Sequence, residues 1–391
     1  MRVGVFLHNY SSEVGGGFTI KNDIYQSLLQ LHNESPHAYI VVNRLKTRLE
    51  VHTIEDSVPR TYSLTGSQLW QNRLRKRLRL PPAAPPYVQW IESAIRDFDI
   101  EFMWFVDAGF FPLRVPFMTI VWDNQGRLQP WFPEVSDNGM WEAWEQNHAN
   151  MRRAARVIVG NPVGKDEIVH FAGIAPGIVR MLPHPTPRFA LEAADAGRGV
   201  LDKYRLPEGY LLYPAQFWPH KNHVNLLHAL QILRDQHDLR LPLVLSGSDF
   251  GNKAHVEQSA KSLGLAEQVH FVGFVPREDL VGLYQNASAL VYVTLFGPEN
   301  LPPLEAFALG CPVVASRVAG AEEQFGDAAL LVDPLNPADI AAAVARLHGS
   351  PDLRQTLIER GKKRARSWTA EDFVRGVFAI LDEFALIRRN W

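Results

Sequence analysis

Two segments of this 391-residue chain place a chemically capable side chain where a strand-like run meets a helix-like run. In Tyr292 to Gly310, the preceding apolar run Ala289 to Val293 reads as a buried parallel strand, and the stretch around Glu305 reads as a helix entered through Pro302 and Pro303. The intervening loop then lies at a strand's carboxyl end, where open α/β sheets bind ligands and helix N-termini offer N–H groups to anions. Glu305, in the first helical turn, can accept hydrogen bonds from sugar hydroxyls while backbone amides hold phosphate oxygens. Taken alone, such an acid fits a ligand-free helix start equally well. In Gly209 to Asn222, a strand leads into a loop carrying Gln216, His220 and Lys221, and helical spacing of Leu226, Leu227, Leu230 and Leu233 follows. A cation on one such unit and a carboxylate on the other suit a nucleotide diphosphate sugar.

Sheets must position these loops. From Met1 to about Pro183, apolar runs at Val3 to Leu7, Ala38 to Val42, Phe102 to Val106, Met118 to Trp122 and Val157 to Val159 alternate with helical spacing at Thr19 to Leu31, Tyr87 to Arg96 and Met140 to Ala155. This alternation predicts a parallel, doubly wound sheet. The prolines at 183, 185 and 187 predict a stiff connector, dividing the chain into domains 1–188 and 189–391. A second alternation begins at Tyr210 and continues through Leu243 to Leu245, Val269 to Phe271, Ala289 to Val293, Val313 to Ala315 and Ala329 to Val332. Glu371 to Arg388 closes the pattern as an amphipathic helix, which in two-lobed enzymes can cross back to the first lobe.

Forty basic and forty-two acidic residues give a net charge of −2, so there is no global electrostatic case for nucleic acid and an anionic substrate must be met locally. One cysteine, Cys311, excludes an internal disulfide and cysteine-based zinc sites. No window approaches about eighteen consecutive apolar residues, and Met1 to His8 turns polar too quickly for a signal peptide, so the expected location is cytoplasmic. Five basic residues from Arg73 to Arg79, interleaved with Leu74, Leu78 and Leu80, suit peripheral contact with the inner face of a membrane or an anionic acceptor. A solvated helix end is the other reading. Pro81 to Pro86 reads as an extended loop. Asp97-Phe98-Asp99 spells a metal-binding pattern, but its place at a helix end predicts capping instead.

Further motifs join the two segments: Gly15-Gly16-Gly17 after the first strand, Val121-Trp122-Asp123 before Pro130 to Pro133, Val159-Gly160-Asn161, Val269 to Pro276, and Gly310 to Ala315. In this order they resemble the family 4 glycosyltransferases, within the group 1 glycosyltransferases, over nearly the whole chain and most strongly from Tyr210 to Val332. The resemblance implies an α/β fold of two Rossmann-like domains with an inter-domain cleft, the GT-B architecture. It implies retaining transfer of a hexose from a UDP- or GDP-linked sugar to a glycan or lipid-linked acceptor in cell-surface polysaccharide assembly, with no metal or other cofactor.

The implied donor set is Gly16, Gly17, Gln216, Lys221, Phe274, Val275, Glu299, Asn300, Leu301 and Glu305, and the implied catalytic set is Lys221, Glu299 and Asp123. Lys221 matches the family's diphosphate lysine, whose compact charge neutralises a leaving group. Gln216 stands where many members carry arginine, and His220 or His223 could supply the missing charge. Asp123 could position the acceptor hydroxyl, take its proton, or serve the loop alone. The family's glutamate motif departs here: Glu305 matches the second acid, on the donor ribose, but Gly297 occupies the place of the first. Glu299 then either contacts sugar hydroxyls in its stead or faces solvent while the loop amides of Asn300 and Leu301 suffice. A sugar-nucleotide epimerase on the same fold, or a nucleotide-sugar-binding partner without catalysis, are the rival readings.

Overall fold

The computed structural model describes residues 1–8, 16–56, 58–80, 86–137 and 139–391, and its strands fall into two sheets. The first contains β1 (Arg2–His8), β2 (Ala38–Arg44), β3 (Arg48–Thr53), β4 (Arg60–Ser63), β5 (Phe102–Phe105), β6 (Phe117–Ile120), β7 (Arg156–Val159) and β8 (Val179–Met181). Their order is β4-β3-β2-β1-β5-β6-β7-β8. The second contains β9 (Leu211–Pro214), β10 (Leu243–Ser246), β11 (Val269–Gly273), β12 (Ala289–Tyr292), β13 (Val313–Ser316) and β14 (Ala329–Val332), in the order β11-β10-β9-β12-β13-β14. Every pairing in the second sheet is parallel. Strands such as β1, β5 and β12 are buried on both faces, which is why they read as continuous apolar runs.

The sequence of strands reverses direction between β1 and β5 in one sheet and between β9 and β12 in the other. At such a switch point the flanking connections leave on opposite sides and open a crevice beyond the strand ends. The loops carrying Lys221 and Glu299 follow β9 and β12, so both candidate segments border that crevice.

The first sheet is not wholly parallel: β2–β3 and β3–β4 pair antiparallel and form an edge hairpin absent from the expected pattern. In β3 only Leu49 and Val51 turn to the core, and β4 buries none of its residues, so neither leaves an apolar run. Helix α1 spans Gly16–Leu31 and therefore begins before the expected Thr19, with Gly16 and Gly17 in its first turn. Gly15 and Pro81 to Pro85 lie outside the described residues. Helix α2 (Gly66–Arg77), opened by a Thr65/Gln68 capping box, buries no residue, whereas α3 (Tyr87–Asp97) packs through Trp90, Ile91, Ala94 and Ile95. Asp97 pairs with Arg60 at 2.9 Å and accepts a hydrogen bond from the Tyr62 hydroxyl at 2.7 Å. The short helices α4 (Gln125–Leu128) and α5 (Pro133–Ser136) and the longer α6 (Met140–Met151) follow β6.

The last helix, Ala370–Arg388, returns to the first sheet. It lies along α1, setting Phe378 5.6 Å from Tyr39 and Phe384 4.8 Å from Phe102 between ring centroids. The two segments that join the sheets, around Pro183 to Thr186 and around Trp368, are bonded to each other: Thr186 N–H donates to the Trp368 carbonyl (3.2 Å) and Trp368 Nε1 to the Pro183 carbonyl (2.9 Å). Leu381, fully enclosed in this packing, makes the returning helix testable. Leu381→Ala is expected to cost about 2–5 kcal/mol in urea unfolding; a loss under about 0.5 kcal/mol, typical of a surface change, would contradict the packing.

Candidate active site

The loop after β12 is shaped by Gly297. Its φ is +133°, and an added Cβ would fall 2.5 Å from Asn300 Oδ1, so the position where the family has its first acid admits only glycine in this conformation. Asn300 holds the turn by donating Nδ2–H to the Gly297 carbonyl at 2.8 Å. Its own backbone is taken at both ends by Gln324, which accepts from Asn300 N–H (2.8 Å) and donates to its carbonyl (3.0 Å). This corrects one expectation: the Asn300 amide is already bonded and is not presented to a phosphate. Pro302 and Pro303 carry no N–H, so in the first turn of the helix Leu301–Leu309 the Leu301 amide is the donor at the mouth.

Glu305 sits under that mouth, buried, with Oε2 accepting from the Tyr284 hydroxyl at 2.8 Å. Burial pushes its pKa up to about 7, while the Tyr284 hydrogen bond and the nearby charge of Arg277 oppose the rise. Arg277, which begins the helix after Val275-Pro276, also reaches Thr19 Oγ1 of α1 at 3.4 Å and stacks over Phe189 at 4.9 Å. It brings a cation beside Glu305 that sequence reading missed, because an arginine opening a helix looks like any solvated helix end. Phe274 is 54% exposed beside the buried Val275.

Lys221 closes the short turn Pro219–Lys221 after β9. Two tyrosines hold it: the Tyr213 hydroxyl donates to its carbonyl (2.5 Å), and its Nζ donates to the Tyr292 hydroxyl (3.0 Å). Neither histidine beside it adds a charge. His223 is stacked 4.7 Å from Phe217, and burial pulls its pKa down to about 3. Burial likewise lowers His220, although Glu134 of α5 accepts from its Nδ1–H and pulls the other way. Gln216 spends its oxygen on Trp218 Nε1 at 3.0 Å, leaving its NH₂ group to donate. Asp123 enters from the other lobe, half-buried, with Oδ1 bonded to Gln125 N–H at 3.0 Å. Burial raises its pKa, and the Lys221 charge acts across the cleft to lower it.

Glu299 takes neither expected place. Its side chain is 4% exposed and crosses to the first lobe, where Oε1 accepts from His184 N–H at 2.8 Å. An added Cβ on Gly160 would fall 1.3 Å from Oε2, so that glycine makes the room. Asn161 donates Nδ2–H to the Pro298 carbonyl at 2.8 Å, and Gln129 Nε2–H donates to the Leu295 carbonyl at 3.1 Å. The loop is thus gripped from the opposite lobe at Leu295, Pro298 and Glu299. Behind it lies a cavity of about 450 Å³ bordered by His184, Glu299 and Trp368. The His184 ring lies tilted against Trp122, 4.7 Å between centroids, and neither ring nitrogen makes a hydrogen bond, Nε2 lying 3.8 Å from Glu299 Oε2. Among the described residues no group of three or more His, Cys, Asp or Glu side chains is arranged around a metal position.

Two Rossmann-like lobes facing each other across a cleft that carries a lysine, a buried glutamate and a glycine-shaped loop define the GT-B architecture. Residues 203–364, within the second lobe, match the family model described as glycosyl transferases group 1. An O-antigen chain mannosyltransferase B from Escherichia coli is 36% identical over 175 residues, covering 44% of this chain and 46% of that protein. The chain spans less than half the length of the first curated relatives it matches. Among solved structures, sucrose-phosphate synthase from Thermosynechococcus elongatus superposes with a TM-score of 0.72 at 19% identity over 99% of both chains. An Anabaena protein solved with UDP and glucose gives 0.69 at 14% identity, covering 98% of this chain and 100% of that one. These likenesses establish the fold.

Burial lifts the Glu299 carboxyl from 4.5 to about 8, against the His184 hydrogen bond, so the folded protein holds a proton that the unfolded chain releases. The stability this contributes is present at low pH and lost as pH rises through about 8. Relative to Glu299→Gln, which stays neutral, wild type is expected to lose Tm between about pH 6 and about pH 9. Parallel Tm profiles for the two proteins would reject the buried carboxyl.

Proposed function

We propose that this chain is a retaining glycosyltransferase that moves a hexose from a nucleoside diphosphate sugar to an acceptor hydroxyl in cell-surface polysaccharide assembly. The observation that carries the reading is the placement of Lys221, held by Tyr213 and Tyr292, at a switch-point crevice facing Asp123. The O-antigen mannosyltransferase likeness makes mannose the first donor sugar to test, on GDP or UDP.

In this reading Glu305 binds the ribose hydroxyls, Phe274 and Val275 border the base, and Gly16, Gly17 and the Leu301 amide approach the diphosphate, with Gln216 donating beside Lys221. The bond from the anomeric carbon to the phosphate oxygen breaks, and the acceptor oxygen attaches on the same face. The departing phosphate oxygen receives the acceptor's proton, Lys221 neutralises the charge that develops there, and Asp123 orients the acceptor hydroxyl. Because Glu299 is buried against His184, its part is to hold the loop, with no direct hold on the sugar. Closing the lobes excludes water that would otherwise hydrolyse the donor.

Lys221→Ala is expected to lower kcat at least ~100-fold, in line with removal of a key electrostatic stabiliser, with Tm nearly unchanged. A near-normal rate would reject the diphosphate role. A binding partner without turnover is the second reading, favoured by Gly297 in place of the first acid. Transfer of labelled hexose from donor to product by the wild type removes it.

We further propose that α2 rests on an anionic membrane surface, where its acceptor would be lipid-linked. The helix exposes Leu69, Trp70 and Leu74, followed by exposed Leu78 and Leu80, among Arg73, Arg75, Lys76, Arg77 and Arg79. Its partners are lipid headgroups for the cations and the acyl boundary for Trp70 and the leucines. Co-sedimentation with phosphatidylglycerol vesicles, lost in Trp70→Glu/Leu74→Glu and absent with phosphatidylcholine, is the expected result; equal pelleting of wild type and variant would overturn it.

A further inference from the structure

The side chain of Glu299 leaves the second lobe and enters a slot of the first, so its surroundings depend on whether the lobes are together. The slot is made by Gly160, where an added Cβ would fall 1.3 Å from Oε2, and by His184, whose N–H donates to Oε1 at 2.8 Å. Seated there, the Glu299 side chain is 4% exposed and that of His184 is 8% exposed.

No fixed cation offsets a charge in the slot. Among the described residues His184 is the basic side chain within ion-pairing distance of the carboxyl, with Nε2 3.8 Å from Oε2. The Gly160-Asn161-Pro162 turn brings no charged group, and the helices Ala321–Phe325 and Pro351–Ala365 bring Glu323 and Arg364 to the cavity behind the loop. Arg364 is turned to its own lobe, donating Nε–H to the Gln324 carbonyl at 2.9 Å and Nη2–H to the Glu323 carbonyl. An ionised carboxylate in the slot would therefore have one hydrogen bond and no permanent counter-charge, which desolvation makes costly. One proton on the pair removes that cost, either on Glu299, leaving two neutral groups, or on His184, making an ion pair. Burial favours the first, lifting Glu299 to about 8 and pulling His184 down to about 3. With the lobes apart both side chains meet water, where glutamate titrates near about 4.3 and histidine near about 6.5, so above neutral pH the pair is almost proton-free.

We propose that closing the lobes draws one proton from solvent onto the Glu299–His184 pair, and that donor binding is thereby linked to pH. The proton uptake follows from the contacts between the lobes, and its link to the donor rests on the transferase reading. The closed form is favoured at low pH, and the advantage is lost as pH rises through about 8.

Calorimetric titration with GDP-mannose and with UDP-mannose near neutral pH, in phosphate and in Tris, reads proton uptake from the difference in heats. Binding to wild type is expected to take up at least about half a proton more than binding to Glu299→Gln, and the wild-type Kd should rise at least about tenfold relative to that variant between about pH 6 and about pH 8. Gly160→Ala, which blocks the slot, should reduce the uptake to that of Glu299→Gln. Equal uptake in wild type and Glu299→Gln, or parallel Kd profiles, would overturn the proposal. If neither sugar nucleotide binds, the mannose donor reading fails, and X-ray scattering without ligand decides the proton. A radius of gyration that grows from about pH 6 to about pH 9 in wild type and stays constant in Glu299→Gln upholds the link; the same change in both, or none in wild type, overturns it.

Discussion

The grip of the first lobe on the loop Leu295 to Asn300 is the constraint on which the rest of the site depends. Asn161 holds the Pro298 carbonyl, His184 holds the Glu299 carboxyl group, and Gln129 holds the Leu295 carbonyl, while Gln324 fixes Asn300 from within the second lobe. Three glycines make these approaches sterically feasible: Gly160 under Glu299, Gly297 against Asn300, and Gly320, where an added Cβ would meet the Pro298 carbonyl at 2.4 Å. The loop is therefore ordered by contacts from two separate bodies, and its shape reports whether those bodies are together. Under the proposed function, a donor site built this way would be complete only in the closed arrangement, coupling sugar binding to the exclusion of water.

Electrostatics in the cleft follow from burial more than from number of charges. His220 and His223 flank Lys221 yet are held toward their neutral forms, which leaves Lys221 as the cation of that turn, with Arg277 near Glu305. The carboxyls of half-buried Asp123 and of buried Glu299 and Glu305 are each raised by desolvation. A charge placed beside any of them is screened less than it would be in water.

Much of this was legible in the residue pattern. Strands buried on both faces announce themselves as apolar runs, and Glu305 and Lys221 stand at loop ends whose position follows from strand-helix alternation. The β3–β4 hairpin was not legible, because a half-buried edge strand and a polar one leave no run. Nor was the direction of Glu299: spacing along a loop does not say which lobe a side chain enters, and its partner His184 is 115 residues away. Asn300 was misread for a similar reason, since the donor that occupies its carbonyl and the acceptor of its N–H both belong to Gln324, on a different helix.

The paired connectors have a mechanical consequence. Because the chain crosses between sheets near Pro183 to Thr186 and again near Trp368, and because Trp368 and Thr186 stitch these crossings together, the lobes are joined by one double-stranded strap. A single tether would permit twisting as well as opening. Two strands bound side by side resist torsion and leave bending as the soft motion, so the lobes should swing like a door on one axis, returning Pro298 and Glu299 to the same register with Asn161 and His184 on every closure.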